Sequence, residues 1–323
     1  MTGRGDAAVV RLGTRRSALA LAQARLVASA LTSATGRDVE LVEVTTAGDT
    51  SSASLAQLGG TGVFVSALRE ALLSGTVDVA VHSLKDLPVG DAAGIALAAV
   101  PGRADPRDVL VARDGQTLAA LPAGSTVGTG SPRRRAQLLA ARPDLDVVDV
   151  RGNVDTRLSY VAGGRLDAVV LAAAGLSRLG RLDEASEVLS YDVMLPAPGQ
   201  GALAVETRAG DELVGLVSVL DEVATRSAVL AERAVLATLE AGCSAPVGAL
   251  AQVSGDELRL RVAVGDGSGG VQRYGESGSA SEPESVGRRL AEHVLASPGR
   301  ALFVSSAAGA GTSGQRPWGE GVQ

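Results

Sequence analysis

Gly75-Thr76-Val77-Asp78-Val79-Ala80-Val81 and Gly164-Arg165-Leu166-Asp167-Ala168-Val169-Val170 share one local design. Each sets a glycine at a helix end and an aspartate just before an apolar run that reads as a buried strand. Two similar α/β lobes facing a cleft would produce this repeat; an Ala- and Val-rich chain could also produce it by coincidence. Outward from these segments, strands and helices alternate, as in an α/β fold. Val9–Gly13, Val39–Thr45 and Val77–Val81 read as strands, and so do Val147–Val150 and Ala168–Ala172. Ser17–Leu31 and Val63–Ser74 read as helices, the first with Leu19, Ala22, Leu26 and Ala30 on one face.

Two Pro/Gly-rich stretches, Pro101–Asp108 and Leu195–Gly201, interrupt both periodicities and read as a lobe boundary and a return crossing. Beyond them Asp221–Ala241 is expected to form a long helix stopped by Gly242. The strands Leu258–Val264 and Val271–Tyr274 and the helix Glu284–Leu295 complete a small third domain. The expected domains are residues 1–101 with 198–216, residues 102–197, and residues 217–304; the Gly/Ser/Ala-rich 305–323 reads as a disordered tail.

The chain has 323 residues, room for two domains at about 150 residues each or for three small ones. Hydrophobic residues make up 46% and aromatics only 2%, so the cores must be built from Ala, Val and Leu. Thirty basic against 36 acidic side chains give a net charge of −6, which argues against a nucleic-acid or anionic-membrane binder. The single cysteine, Cys243, cannot close an intramolecular disulfide, and two distant histidines, His82 and His293, do not make a structural zinc site. No run reaches the roughly 18 apolar residues of a membrane span. The strand–helix pattern at the N-terminus argues against a removable presequence, so the expected location is cytoplasmic.

Three segments could carry chemistry. Val79-Ala-Val-His82-Ser-Leu-Lys85-Asp86-Leu-Pro88 runs a buried strand straight into a polar cluster holding the only lysine of the chain. Ligands of α/β proteins gather at the carboxyl ends of strands, although an ion pair closing a strand would look the same. His82 reads more readily as a packed strand residue than as a catalyst. Gly128-Thr-Gly-Ser131-Pro-Arg133-Arg134-Arg135 and Arg151-Gly-Asn-Val-Asp-Thr-Arg157 each follow an apolar strand and open a helix. Helix N-termini and guanidinium forks both favour anions, so these segments point to a small polyanion or else to a solvated basic face. Arg15 and Ser17, at the end of the first strand, could join the same cleft. Cys243, in a Gly/Ser/Pro loop after a helix, is either an inert buried thiol or one available for covalent attachment. Gly265-Asp-Gly-Ser-Gly-Gly270 matches a dinucleotide loop by letters only; it lies between strands and reads as a hairpin turn.

Together these segments resemble the hydroxymethylbilane synthase (porphobilinogen deaminase) family, from Leu12 to about Leu302. The resemblance also rests on Gly13-Thr-Arg15-Arg-Ser17, Gly48-Asp49, Asp105-Pro-Arg-Asp108, Ala174-Gly-Leu-Ser-Arg178-Leu-Gly, Pro198-Gly-Gln-Gly201 and Leu239-Glu-Ala-Gly-Cys243. It implies three α/β domains, the first two like periplasmic binding proteins. It implies a transferase of tetrapyrrole (heme) biosynthesis that joins four porphobilinogen molecules head to tail, releases ammonia, and hydrolyses off hydroxymethylbilane. The chain would grow on a dipyrromethane cofactor linked by a thioether to Cys243.

In the same resemblance Asp86 is the catalytic carboxylate, stabilising the cationic azafulvene left when ammonia departs. Lys85, Asp86, Ser131, Arg133, Arg134 and Arg157 correspond to cofactor-holding residues. Arg15, Ser17, Arg151, Arg157 and Arg178 correspond to those lining the substrate path. The expected enzyme is a monomer that binds neither metal, nucleic acid nor membrane. One departure stands out: Gln57 and Thr61 occupy loop positions where some members carry lysines, which removes charge from that loop. A plain binding protein for an anionic metabolite would not need Cys243, and a nucleic-acid-binding regulator fits poorly with the acidic charge.

Overall fold

A computed structural model of the chain describes residues 9–45, 62–242, 245–266 and 269–297. Cys243, Asp49, Gln57, Thr61 and the 305–323 tail lie outside the described residues. The chain divides into two compact units. One is built from the chain up to Ala104 with Gly201–Arg226, the other from Asp105–Gln200 with the chain from Ser227 onward.

In the first unit, β1 (Val10–Thr14), β2 (Val39–Glu43), β3 (Val79–Ser83) and β4 (Ile95–Ala99) join β10 (Leu203–Arg208) in one sheet of order β2-β1-β3-β10-β4. β1 runs parallel to β2 and β3, whereas β10 is antiparallel to both its neighbours. Helix α1 (Ala18–Thr35) packs Ala24, Val27 and Leu31 into a core with Val10, Leu12, Val79, Val81 and Val205. Its start is fixed by Ser17, whose hydroxyl oxygen accepts from the Ala20 N–H, and its end by Gly36 at φ 69°. Helix α2 (Gly62–Leu73) covers the other face with Leu68, Ala71 and Leu72.

The second unit repeats this topology. β5 (Asp108–Ala112), β6 (Thr126–Gly128), β7 (Asp146–Val148), β8 (Ala168–Ala172) and β9 (Glu187–Val188) form a sheet of order β7-β6-β8-β5-β9. β6 is parallel to β7 and β8, while β5 is the antiparallel crossing strand, the counterpart of β10. Helices α3 (Pro132–Ala141), α4 (Val154–Ala162) and α5 (Ala173–Arg178) follow β6, β7 and β8.

The repeat reaches individual atoms. Asp78 accepts from the Arg11 N–H at the start of β1 (3.0 Å), and Asp167 accepts from the Thr126 N–H at the start of β6 (2.8 Å). An arginine closing each crossing strand completes the latch. Arg208 binds the Val77 carbonyl and Asp78, and Arg113 binds the Leu166 carbonyl and Asp167. Gly75 and Gly164 hold matching left-handed turns at φ 73° and 71°. The quoted repeat is therefore a structural one.

Helix α6 (Leu213–Val217) completes the first unit, and α7 (Val223–Thr238) leads to the small third sheet. That sheet is an antiparallel meander of β11 (Val247–Ser254), β12 (Glu257–Gly265) and β13 (Val271–Ser279), packed against α8 (Pro283–Leu295). β12 and β13 pair directly across Gly265 and Val271, so the glycine-rich stretch between them is a hairpin connection. The expected stop at Gly242 is corrected. Glu240 takes the left-handed conformation (φ 51°), and the Ala241 N–H reaches back to the Leu236 carbonyl. The chain is mixed α/β, with two like sheets and a small third.

Candidate functional site

The sheet of the first unit delivers Lys85 and Asp86 by a simple device. After β3 the chain makes a single 3₁₀ turn, Leu84–Asp86. Leu84 and Leu87 are buried, and in such a turn positions three apart share a side. Lys85 and Asp86 between them are left half-buried. The Leu84 N–H donates to the Ala202 carbonyl (3.0 Å), which fixes the turn to the chain entering β10. Arg15 follows β1, the strand beside β3, and is half-buried. Ser17 is the cap of α1, so its oxygen has a structural task.

His82, on β3, is buried with Nε2 3.3 Å from Glu206 Oε2. Arg69 from α2 grips the same carboxylate with Nε (3.0 Å) and Nη2 (2.6 Å). Burial alone would raise the Glu206 carboxyl, but His82 and Arg69 hold it down to about 2. Because the folded value lies below the ordinary 4.5, this group stabilises the fold above that pH, and the contribution fades as pH falls toward 2. On going from pH 5 to pH 3, denaturant unfolding should show the wild type losing about 2 kcal/mol more than Glu206→Gln. Equal losses would show that the buried cluster does not govern acid stability. His82 thus belongs to the packing of the first unit, as its place in the sequence suggested.

In the second unit the loops after β6 and β7 are pressed together. A Cβ on Gly130 would come within 2.8 Å of the Val150 carbonyl, so only glycine fits there. Ser131 caps α3, accepting from the Arg134 N–H. Arg133 and Arg134, 3% and 6% exposed, turn inward onto the fully buried Asp108. Arg133 Nη1 lies 2.7 Å from Asp108 Oδ2, and Arg134 Nη2 lies 2.8 Å from Oδ1. Gln200 Nε2 adds a bond of 2.9 Å to Oδ1. Burial would raise the Asp108 carboxyl, yet the two guanidiniums hold it far below the usual carboxylate range. One carboxylate matches two guanidiniums, leaving one positive charge over. The Asp105-Pro-Arg-Asp108 motif was visible in the sequence, but not the anchoring task of its last residue.

On the neighbouring loop Arg151 is exposed, 3.5 Å from Asp149. Gly152 (φ 106°) turns the chain into α4, where Asn153 Oδ1 caps the Thr156 N–H at 2.9 Å. Arg157, one turn into α4, is pushed down to about 10 by burial and by Arg134, against the pull of Asp149. Burial also lowers Arg178 at the end of α5. The surface arginines 11, 107, 142, 181 and 259 are raised by carboxylate partners instead. Around the N-termini of α3 and α4, Arg133, Arg134, Arg151 and Arg157 outnumber the carboxylates of Asp108 and Asp149 beside them, and Arg133 Nε is buried with no acceptor among the described residues. This donor set fits a group rich in carboxylates, such as a dipyrromethane.

Fold and site define a multidomain α/β protein with cationic strand-end loops and a single cysteine. The profile described as "Porphobilinogen deaminase, dipyromethane cofactor binding domain" matches residues 10–215, and "Porphobilinogen deaminase, C-terminal domain" matches residues 227–296. The chain belongs to the porphobilinogen deaminase family. It is 57% identical over 303 residues to porphobilinogen deaminase 1 of Streptomyces coelicolor, covering 89% of this chain and 95% of that one. It is 56% identical over 314 residues to the porphobilinogen deaminase of Thermobifida fusca, covering 94% and 98%. Among solved structures, a periplasmic substrate-binding protein of an ABC transporter from Coxiella burnetii matches at TM-score 0.42 and 16% identity, over 68% of this chain and 94% of that one.

Proposed function

We propose that the protein is a hydroxymethylbilane synthase: a transferase that condenses porphobilinogen stepwise, with loss of ammonia, and releases hydroxymethylbilane by hydrolysis. Bound dipyrromethane would supply the primer to which the growing chain is joined. The observation that carries this reading is the under-compensated guanidinium charge around the N-termini of α3 and α4. Porphobilinogen carries two carboxylates, so each condensation adds negative charge that these cations can receive.

The roles divide by chemistry. Asp86, held half-buried at the end of β3, supplies negative charge to the cation formed as ammonia leaves. Lys85, Ser131, Arg133, Arg134 and Arg157 would hold the cofactor's carboxylates. Arg15, Ser17, Arg151, Arg157 and Arg178 would receive the incoming substrate and the lengthening chain. Cys243 would be the attachment point. The reading includes a monomer working in the cytoplasm, and the acidic net charge weighs against a nucleic-acid partner. The working domains would be residues 1–101 with 198–216, 102–197 and 217–304.

The intact mass of the purified chain tests the reading. A covalent addition equal to two linked pyrrole units is expected, and porphobilinogen should add further increments to it. A bare chain that neither gains mass nor consumes porphobilinogen would overturn the assignment. Arg157→Ala should weaken holding of the chain by about tenfold or more, since a charge-assisted bond contributes roughly 1.5–3 kcal/mol. Short enzyme-bound intermediates should then accumulate in the mass spectrum. A wild-type ladder of intermediates would remove Arg157 from the substrate path.

A further inference from the structure

A strap of backbone, Val193–Gln200, passes between α3 and the third sheet and is stitched to both. On the α3 side the Gln137 amide reads both backbone groups of Leu195: Oε1 accepts from its N–H at 2.8 Å, and Nε2 donates to its carbonyl at 3.0 Å. Arg133 Nη1 donates to the same carbonyl. On the other side the Ala249 N–H of β11 donates to the Pro196 carbonyl at 2.9 Å. A Cβ on Gly248 would come within 2.8 Å of the Leu195 carbonyl, so the contact admits only glycine. Further along, Glu232 of α7 is fully buried, and each of its oxygens accepts from a backbone N–H group. Oε2 accepts from Gly199 on the strap (2.7 Å), and Oε1 from Ala251 on β11 (2.8 Å).

The segment between α7 and β11 is the one that contains Cys243. Its flanks are joined by a bond of 3.0 Å from the Ala245 N–H to the Gly242 carbonyl. A buried carboxylate that accepts from the backbone N–H groups of two separate segments is costly to disturb. Nothing in the proposed chemistry uses Glu232 or Gln137 directly.

We infer that Gln137 and Glu232 are positioning residues for cofactor attachment. By clamping the strap to α3 and to α7–β11, they tie the two elements that flank the cysteine-bearing segment to the helix that carries Arg133 and Arg134. The inference rests on Cys243 as attachment point and Arg133 and Arg134 as cofactor holders. In attachment the C–N bond of the aminomethyl group breaks and a C–S bond to Cys243 forms, the thiol proton leaving with the nitrogen as ammonia. A group that must meet a thiol and two guanidiniums at once is sensitive to their spacing.

The test follows covalent loading itself. Chain produced in a host unable to make porphobilinogen is mixed with porphobilinogen, and the adduct is timed by intact mass. Glu232→Gln and the near-isosteric Gln137→Met should each load at least tenfold more slowly than wild type. Asp167→Asn serves as the comparison for lost stability, because it loosens the latch at the opposite end of β8. Melting temperatures identify folded variants with matched losses, and Asp167→Asn should load at the wild-type rate. Unchanged loading in both clamp variants, or equal slowing in Asp167→Asn, would overturn the inference while leaving the enzyme assignment standing. A wild-type chain that takes no adduct would instead sink the attachment reading and this inference with it.

Discussion

Asp86→Asn should reduce turnover by about a hundredfold or more, while leaving the fold and the covalent cofactor in place. The substitution keeps the shape of the side chain and removes only its charge. Leu84 and Leu87, both buried, anchor the 3₁₀ turn at its two ends, so the amide should occupy the same half-buried place. What is lost is a fixed negative charge beside a carbon that becomes cationic as ammonia departs. Removal of one preorganised electrostatic partner typically costs 10² to 10³ in rate. The measurement is kcat with the adduct mass and melting temperature recorded on the same sample. Near-normal turnover would transfer the role to another carboxylate, and Asp49, outside the described residues, would be the first to test.

Cys243→Ala should abolish both the adduct and turnover. The chain has no second thiol to substitute for it. Stability should change little, because the flanks of the segment are held independently, by the Gly242–Ala245 bond and by Glu232 on the Gly199 and Ala251 N–H groups. Intact mass should show the bare polypeptide, and added porphobilinogen should be left unconsumed. Turnover by an unmodified variant would show that the thioether is not needed, and the attachment proposal would fall.

Much of this was legible in the residues. The aspartates before β3 and β8 stood out because each precedes an unbroken apolar run, and a latch to the first strand of each sheet explains them. Ala168–Ala172 was read to the residue. The crossing strands β5 and β10 were not separately legible. Each starts where a Pro/Gly-rich connection ends, and periodicity gives no sign of antiparallel insertion into a parallel sheet. β11 was missed because Val247–Ala251 is Ala- and Gly-rich, with weak strand propensity, and is fixed by tertiary contacts with Leu195 and Pro196. At the site, the positions of Lys85 and Asp86 at a strand end could be foreseen. The inward turn of Arg133 and Arg134 onto Asp108 could not, since a run of arginines looks alike whether solvated or buried.

The place of β10 in the first sheet bears on the order in which a nascent chain can finish its parts. β10 lies between β3 and β4, yet it is separated from them by the whole β5–β9 sheet in sequence. While the ribosome is still making residues before Leu203, β3 and β4 each lack the neighbour that would satisfy their facing N–H and C=O groups. The second sheet, by contrast, has every strand once Val188 has emerged. Synthesis from the N-terminus therefore completes the inner sheet first. The N-terminal strands must wait with open edges for the chain to return, and that interval is when they are most exposed to mispairing or capture by a chaperone.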